Sequence, residues 1–183
     1  MDIINALIKL DSQAFLYINN LQHNFIADFV FVLIHNLTRQ GLIYFIAVVF
    51  LLMRRDAPTR LLVTLAMISG FATYIVNDLI LKNIFQRTRP LYVLSQTEFV
   101  SVPPDSYSMP SGQAAVAFAV FTMVWLVLPS KILKIGFLIF ALLVAFDRIY
   151  LGHHYPSDVF VGAVVGVIIS SVIYRYRKSI FFL

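Results

Sequence analysis

The sequence predicts an all-α bundle of membrane-spanning helices. Hydrophobic residues occupy 60% of its 183 positions, and only 13% are charged. Mean hydropathy is +0.86, whereas soluble domains are nearer half apolar and a quarter charged. Apolar runs recur along the whole chain, and some are long enough to cross a bilayer. We therefore expect about six membrane helices and an amphipathic N-terminal segment, in one integral-membrane domain that covers residues 1–183.

The helices follow in order from these runs. Residues 3–20 alternate apolar and polar positions at helical spacing, which indicates an amphipathic helix. Predicted membrane helices then cover residues 25–35, 42–53, 61–81, 114–128, 132–146 and 159–174. Near the end of the third run, Asp78 and Lys82 can pair across one helical turn. Residues 82–111 are rich in proline and predict a loop. Gly162 and Gly166, four residues apart, indicate close helix packing.

The basic residues predict how the chain is oriented. Those at 54–60, 131–134 and 175–178 share one face if the spans alternate, and the positive-inside rule places that face in the cytoplasm. Lys82, Arg87, Arg89 and Arg148 then lie on the outer face and break this rule, which a shared anion would explain. The net charge of +5 is accounted for by topology, so we expect no nucleic-acid partner. The N-terminus lacks a basic segment followed by an apolar core, so no cleaved signal peptide is expected.

One polar stretch between two apolar runs, DRIYLGHHYPSD at 147–158, carries the strongest chemical signal. A helix that begins near Pro156 would bring His154 close to Asp158. The carboxylate can then hold one imidazole nitrogen and leave the other free to attack or to bind a ligand. Arg148 adds a planar cation suited to phosphate. A capped helix end with surface histidines is the alternative explanation of this stretch.

Two further segments complement this stretch on the same face. Lys82 and Arg89, in the pattern Lys-x6-Arg-Pro, can neutralise phosphoryl oxygens together with Arg148. Ser111 and Gly112 open a predicted helix, whose free N–H groups form an anion cradle. Three such segments in this order favour a phosphate site over three unrelated surface features.

These segments resemble the three motifs of the type 2 phosphatidic acid phosphatase family, which read K-x6-RP, PSGH and SR-x5-H-x3-D. The resemblance runs from about Leu61 to the last span. It implies a six-helix transmembrane bundle and metal-independent hydrolysis of a lipid phosphate or diphosphate, with no cofactor. It implies phosphate binding by Lys82, Arg89, Ser111, Gly112 and Arg148. It also implies that His154 is the nucleophile and that Asp158 is the carboxylate that orients it.

Two positions depart from the family pattern. Asp147 replaces a small hydroxyl residue, which we interpret as a minor variation. Gln113 replaces the histidine that the family uses as general acid, and an amide cannot transfer a proton at useful pH. We expect a weakened enzyme that binds its lipid phosphate, turns it over slowly, and gains at least about a hundredfold from Gln113→His. A natural pseudoenzyme, and an enzyme that protonates its leaving group by another route, are the alternatives.

The resemblance suggests undecaprenyl diphosphate as substrate, hydrolysed to undecaprenyl phosphate through a phosphohistidine at the outer face of a bacterial cytoplasmic membrane. Phosphatidic acid, phosphatidylglycerol phosphate and lipid A remain alternatives, as does binding or transport without hydrolysis. A metal site formed by His153, His154 and Asp158 is a weaker alternative, because no third ligand has a recognisable spacing. His153 is expected to support the site, and His23 and His35 to be structural. Nothing in the sequence indicates an oligomeric state.

Overall fold

The computed structural model describes residues 2–21, 23–39, 49, 56–98, 101 and 105–181. All regular elements in these ranges are helical, as predicted. They are α1 (Asp2–Asn19), α2 (Phe25–Arg39), α3 (Ala57–Tyr74), a π-helical segment (Ile75–Leu81), α4 (Lys82–Phe85), α5 (Pro90–Val93), α6 (Gly112–Val127), α7 (Lys131–Tyr150), α8 (Pro156–Arg175) and α9 (Arg177–Phe181). The predicted helix at 42–53 lies outside the described residues, apart from Val49.

The chain from 57 to 85 is continuously helical. The π-helical segment joins α3 to α4, so the helix continues past its predicted end at residue 81. The backbone N–H of Lys82 donates to the carbonyl of Asn77, five residues back. The prediction that the loop begins at residue 82 was therefore wrong by one turn. Gln86, at φ 47°, ends the helix in the left-handed conformation. Such π turns change which side chains share a helix face and are frequent at functional sites.

Helix α6 lies at the centre of the bundle, packed against α3, α7 and α8. The two glycines of α8 let it approach α6 closely. A Cβ on Gly162 would overlap the carbonyl oxygen of Ser111, and one on Gly166 would overlap that of Ala115. This contact confirms the predicted packing role of the pair.

The described residues of the basic segments lie at one end of the bundle. Leu62 near the start of α3, Val127 at the end of α6 and Tyr174 near the end of α8 belong to one packed cluster. Arg60, Lys131 and Arg175 are near neighbours of these residues in the sequence, whereas the motif residues lie at the opposite helix ends. Two helical stretches, Ala57–Val93 and Pro156–Arg175, are long and apolar enough to cross a membrane.

Candidate active site

His154 and Asp158 meet where α8 begins. Pro156 opens this helix. Because His154 and Asp158 are four residues apart, the Asp158 carboxylate lies next to the imidazole. Nδ1 of His154 lies 3.7 Å from Oδ2 of Asp158, which also accepts the backbone N–H of Tyr155 at 2.9 Å. On the other side of the ring, Nε2 lies 3.1 Å from Nη1 of Arg89. A guanidinium only donates, so Nε2 carries the lone pair and Nδ1 the proton. This is the tautomer that a nucleophilic Nε2 requires.

Burial and nearby cations keep His154 neutral. Only 5% of the residue is exposed. Burial first, and then the charges of Arg89, Lys82 and Arg148, hold the pKa of His154 well below its usual 6.5. Burial likewise lowers the pKa of His153 to about 4. The imidazole of His154 is therefore unprotonated at neutral pH, and its Nε2 lone pair accepts from Arg89.

Arg89 and Lys82 connect this histidine to a cavity of about 620 Å³. Arg89 is 1% exposed, and its guanidinium is held by the carbonyls of Ser106 and His153 at 2.8 and 2.9 Å. Lys82 is paired with Asp78, as the sequence predicted. Both cations line the cavity, so their charges face space that an anion could enter.

The start of α6 forms the next part of the site. The backbone N–H of Ser111, the N-cap residue, donates to the carbonyl of Asp158 at 2.9 Å and joins α6 to α8. The Ser111 hydroxyl is buried and has no hydrogen-bond partner among the described residues. A Cβ on Gly112 would lie 2.6 Å from Oδ2 of Asp78, so glycine is required by a carboxylate that sits against this helix terminus.

Arg148 is fully buried and bound by groups of the protein itself. Asp147 accepts from both Nε and Nη2, the second at 2.6 Å, so this departure from the family pattern is more than a minor variation. Nη1 donates to Gln113 and, at 2.5 Å, to Nδ1 of His35. The Gln113 amide donates to Thr38 Oγ1 at 2.8 Å. Arg148, a predicted phosphate ligand, and Gln113, at the predicted general-acid position, thus form a second cluster that contacts α2.

Three side chains at the site were missed by the sequence analysis. His35, expected to be structural, contacts Arg148 and stacks edge-on against His153 at 4.9 Å between ring centroids. Asp11 of α1 binds Arg87 at 2.7 Å and the backbone N–H of Ser157 at 3.0 Å. No local motif marks either one, since both come from helices distant in sequence. Asp78 had been recognised only as a partner for Lys82.

The described residues contain no group of three or more histidine and carboxylate side chains arranged to hold a metal ion. His153 turns Nε2 toward Ser101, 2.8 Å from its carbonyl oxygen.

Comparison with known proteins places these features in a family. A model of the PAP2 superfamily matches residues 57–181. The chain is 30% identical to undecaprenyl-diphosphatase BcrC of Bacillus subtilis, over 84% of this chain and 77% of that protein. It is also 30% identical to an undecaprenyl-diphosphatase of Sulfolobus acidocaldarius and to phosphatidylglycerophosphatase B of Haemophilus influenzae. These two matches cover 58% and 40% of this chain, but only 51% and 34% of the relatives.

Two solved structures share the architecture. The crystal structure of Aquifex aeolicus LpxE superposes with a TM-score of 0.72 at 30% identity, covering 90% of this chain and 94% of that one. A transmembrane PAP2-type phosphatidylglycerolphosphate phosphatase from Bacillus subtilis gives 0.76 at 20% identity, over 96% and 88%. The second match concerns the fold alone. With the three motifs gathered at one end of the bundle and a family model that covers residues 57–181, the chain belongs to the PAP2 superfamily.

Proposed function

We propose that this protein is a membrane lipid phosphatase that forms a phosphohistidine at His154. The arrangement of His154 between Asp158 and Arg89 is the observation that carries the proposal. It provides a neutral imidazole whose Nε2 lone pair accepts from Arg89, and Arg89 in turn lines the cavity. That is the combination a phosphoryl transfer requires.

Substrate binding would use the charges that line the cavity. Lys82 and Arg89 contact the phosphoryl oxygens, and the Ser111 hydroxyl and the backbone N–H of Gly112, at the start of α6, bind a further oxygen. Arg148 joins them once its contact with Asp147 loosens. No metal is needed in this scheme, because the cations and the helix terminus supply the positive charge.

The reaction then runs in two steps. Nε2 of His154 attacks phosphorus, the bond to the leaving oxygen breaks, and that oxygen takes up a proton. The Asp158 carboxylate, 3.7 Å from Nδ1, stabilises the positive charge that the ring acquires and stays ionised. Water next attacks phosphorus and gives up one proton, which replaces the proton taken by the leaving oxygen. The N–P bond breaks as the new P–O bond forms, and phosphate leaves with His154 neutral again.

Undecaprenyl diphosphate is the substrate we favour, because relatives that match this chain carry the name undecaprenyl-diphosphatase. A diphosphate also leaves as a phosphate, which needs a proton less than an alkoxide does. We place the protein in a bacterial cytoplasmic membrane with about six spans and the site outward. Phosphatidic acid, phosphatidylglycerol phosphate and lipid A phosphates are the alternative substrates.

Phosphate release from a panel of these lipids in one detergent tests the proposal. The wild-type chain should release phosphate from at least one lipid, and His154→Ala should abolish release. Rapid acid-free quenching with labelled substrate should trap a base-stable, acid-labile phosphoenzyme in the wild type. His23→Gln, a histidine that is bound to Asp28 at 2.8 Å, serves as the matched control and should behave as wild type.

Binding or transport without hydrolysis is the second candidate. Gln113, which cannot donate a proton, and the carboxylate bound to Arg148 favour it. It predicts saturable lipid binding with no phosphoenzyme and no phosphate release from any lipid of the panel.

A further inference from the structure

Asp78 occupies an unusual place for a carboxylate in a site that would bind an anion. It lines the same cavity as Lys82 and Arg89. It pairs with Lys82, and its Oδ2 lies 3.3 Å from the side-chain nitrogen of Asn77. The same oxygen lies so close to Gly112, at the start of α6, that a Cβ on this residue would be 2.6 Å from it. The Asp78 carboxylate therefore lies next to Lys82 and Gly112, two of the residues expected to bind phosphate.

The charges around the cavity are already largely balanced. Three cations among the described residues line the cavity, and carboxylates pair with two of them, Lys82 and Arg87. Among these three lining cations, Arg89 is the one with no carboxylate ion pair in the described part of the chain. A phosphoryl group would add negative charge beside Asp78 and compete for Lys82. Negative charge close by favours the protonated form of a carboxyl group. A bound phosphoryl group would thus act directly on the Asp78 carboxylate, through Lys82 and the start of α6.

The reaction needs such a proton. Gln113 stands where the family has its acid, and its amide is engaged by Thr38, His35 and Arg148. An amide in that network cannot release a proton, whereas a carboxyl group can.

We propose that Asp78 is the general acid and base of this enzyme, in place of the missing histidine; the proposal rests on the phosphatase function above. In the first step the Asp78 carboxyl group gives its proton to the leaving oxygen as the P–O bond breaks. In the second step the Asp78 carboxylate takes a proton from water as the new P–O bond forms and the N–P bond breaks. The carboxyl group is thereby restored, and the proton balance closes over one turnover.

Asp78→Asn tests this role by its dependence on the leaving group. An alkyl lipid phosphate needs a proton on its departing oxygen, but p-nitrophenyl phosphate does not. The variant should lose at least about a hundredfold in kcat on the lipid and less than about fivefold on p-nitrophenyl phosphate. Retained p-nitrophenyl phosphate hydrolysis also shows that the variant is folded. Asp105→Asn, a carboxylate of the same cavity, is the matched control and should not discriminate between the substrates.

Equal losses on both substrates would overturn the proposal, because they would mean that Asp78 only holds Lys82 in place. An Asp78→Asn variant with wild-type activity would overturn the proposal too. The same holds if His35→Gln, and not Asp78→Asn, loses activity on the lipid while keeping activity on p-nitrophenyl phosphate. A wild-type chain inactive on every phosphate would refute the phosphatase function itself, and is distinguishable because no variant would then differ.

Gln113→His supplies an independent arm. With Asp78 as donor, restoring the histidine should change the wild-type rate less than about tenfold, but should raise the Asp78→Asn rate on the lipid by at least about a hundredfold. This outcome differs from the large wild-type gain expected from the sequence. A hundredfold gain in the wild type would overturn the assignment of Asp78, and would mean that the chain has no working acid.

Discussion

Nη1 of Arg87 donates to Oδ1 of Asp158 at 2.7 Å, on the opposite oxygen from the one that faces His154. Arg87 is in turn paired through Nη2 with Asp11 of α1, also at 2.7 Å. The carboxylate proposed to orient the nucleophile therefore belongs to a chain of alternating charges that begins outside the region matched by the family model.

Asp11→Asn should slow turnover without weakening substrate binding. Removing the Asp11 charge leaves Arg87 paired with Asp158 alone, which reduces the charge that Asp158 can offer the imidazolium of His154. We expect kcat to fall about tenfold, or about 1.4 kcal/mol of barrier, with KM changed less than about twofold. Steady-state kinetics measure this split. Lys9→Gln, an exposed neighbour on α1, should have no effect, and an increase in KM alone would contradict the positioning role.

Asp147→Ser should free Arg148 for phosphate. The buried guanidinium loses its carboxylate, which should lower the melting temperature of the phosphate-free protein because an unpaired buried charge is costly. Inorganic phosphate should then stabilise the variant more than it stabilises the wild type. Thermal unfolding with and without phosphate measures both effects. A variant whose phosphate response matches that of wild type would show that Arg148 does not reach the ligand.

Gly166→Ala should destabilise the bundle, and Gly136→Ala should not. A Cβ at Gly166 meets the backbone of α6, whereas at Gly136 no atom lies within 4 Å. The helix propensity of alanine favours both changes by about 1 kcal/mol, so only the clash distinguishes them. Unfolding in detergent, followed by the fluorescence of the single tryptophan, compares the two. Equal stability would mean that α6 and α8 are farther apart than described.

Acidification should destabilise the protein partly through His153. Its pKa in the folded chain is about 4, below the ordinary 6.5, so between these values the unfolded chain takes up a proton that the folded chain does not. The stability that His153 contributes is thus present above pH 6.5 and is lost as the pH falls toward 4. At about 1.4 kcal/mol per pH unit this amounts to about 3 kcal/mol. His153→Asn should flatten the corresponding part of a stability–pH curve.

His23 provides a control of opposite sign for that experiment. Burial lowers its pKa, but hydrogen bonds to the Asn19 carbonyl and to Asp28 outweigh burial, and the net pKa is raised. Its contribution is present below pH 6.5 and is lost as the pH rises through the raised value. His23→Asn should therefore alter the curve at its alkaline side. The same change in both variants would show that the burial of His153 is not responsible.

Cysteine labelling should place the site outside the cell. The chain has no cysteine, so single cysteines can be introduced without background. Ser95→Cys, exposed near the site, should react with an impermeant maleimide in intact cells. Ala57→Cys and Lys131→Cys, exposed at the basic end, should react only after the membrane is opened. The reverse pattern would overturn the outward orientation.

The sequence by itself determined the helical class and the family, and it predicted which motif residues would lie near one another. Apolar runs predict helices because the pattern is local, and they located α6 and α8 to within three residues at each end. Motif spacing likewise predicted that His154 and Asp158 meet, since four residues at a helix start bring two side chains together. The pair of Asp78 and Lys82 followed from the same local rule.

Only the tertiary structure decided how the charges are shared. Asp11 joins Arg87 and Ser157 across more than seventy residues of chain, and His35 of α2 reaches Arg148. The placement of Asp78 against Gly112 depends on the π-helical turn and on how closely two helices pack. Such contacts have no sequence periodicity, because they depend on the relative positions of whole helices. The free energy of a buried charge depends on its neighbours in space, and the sequence does not state them.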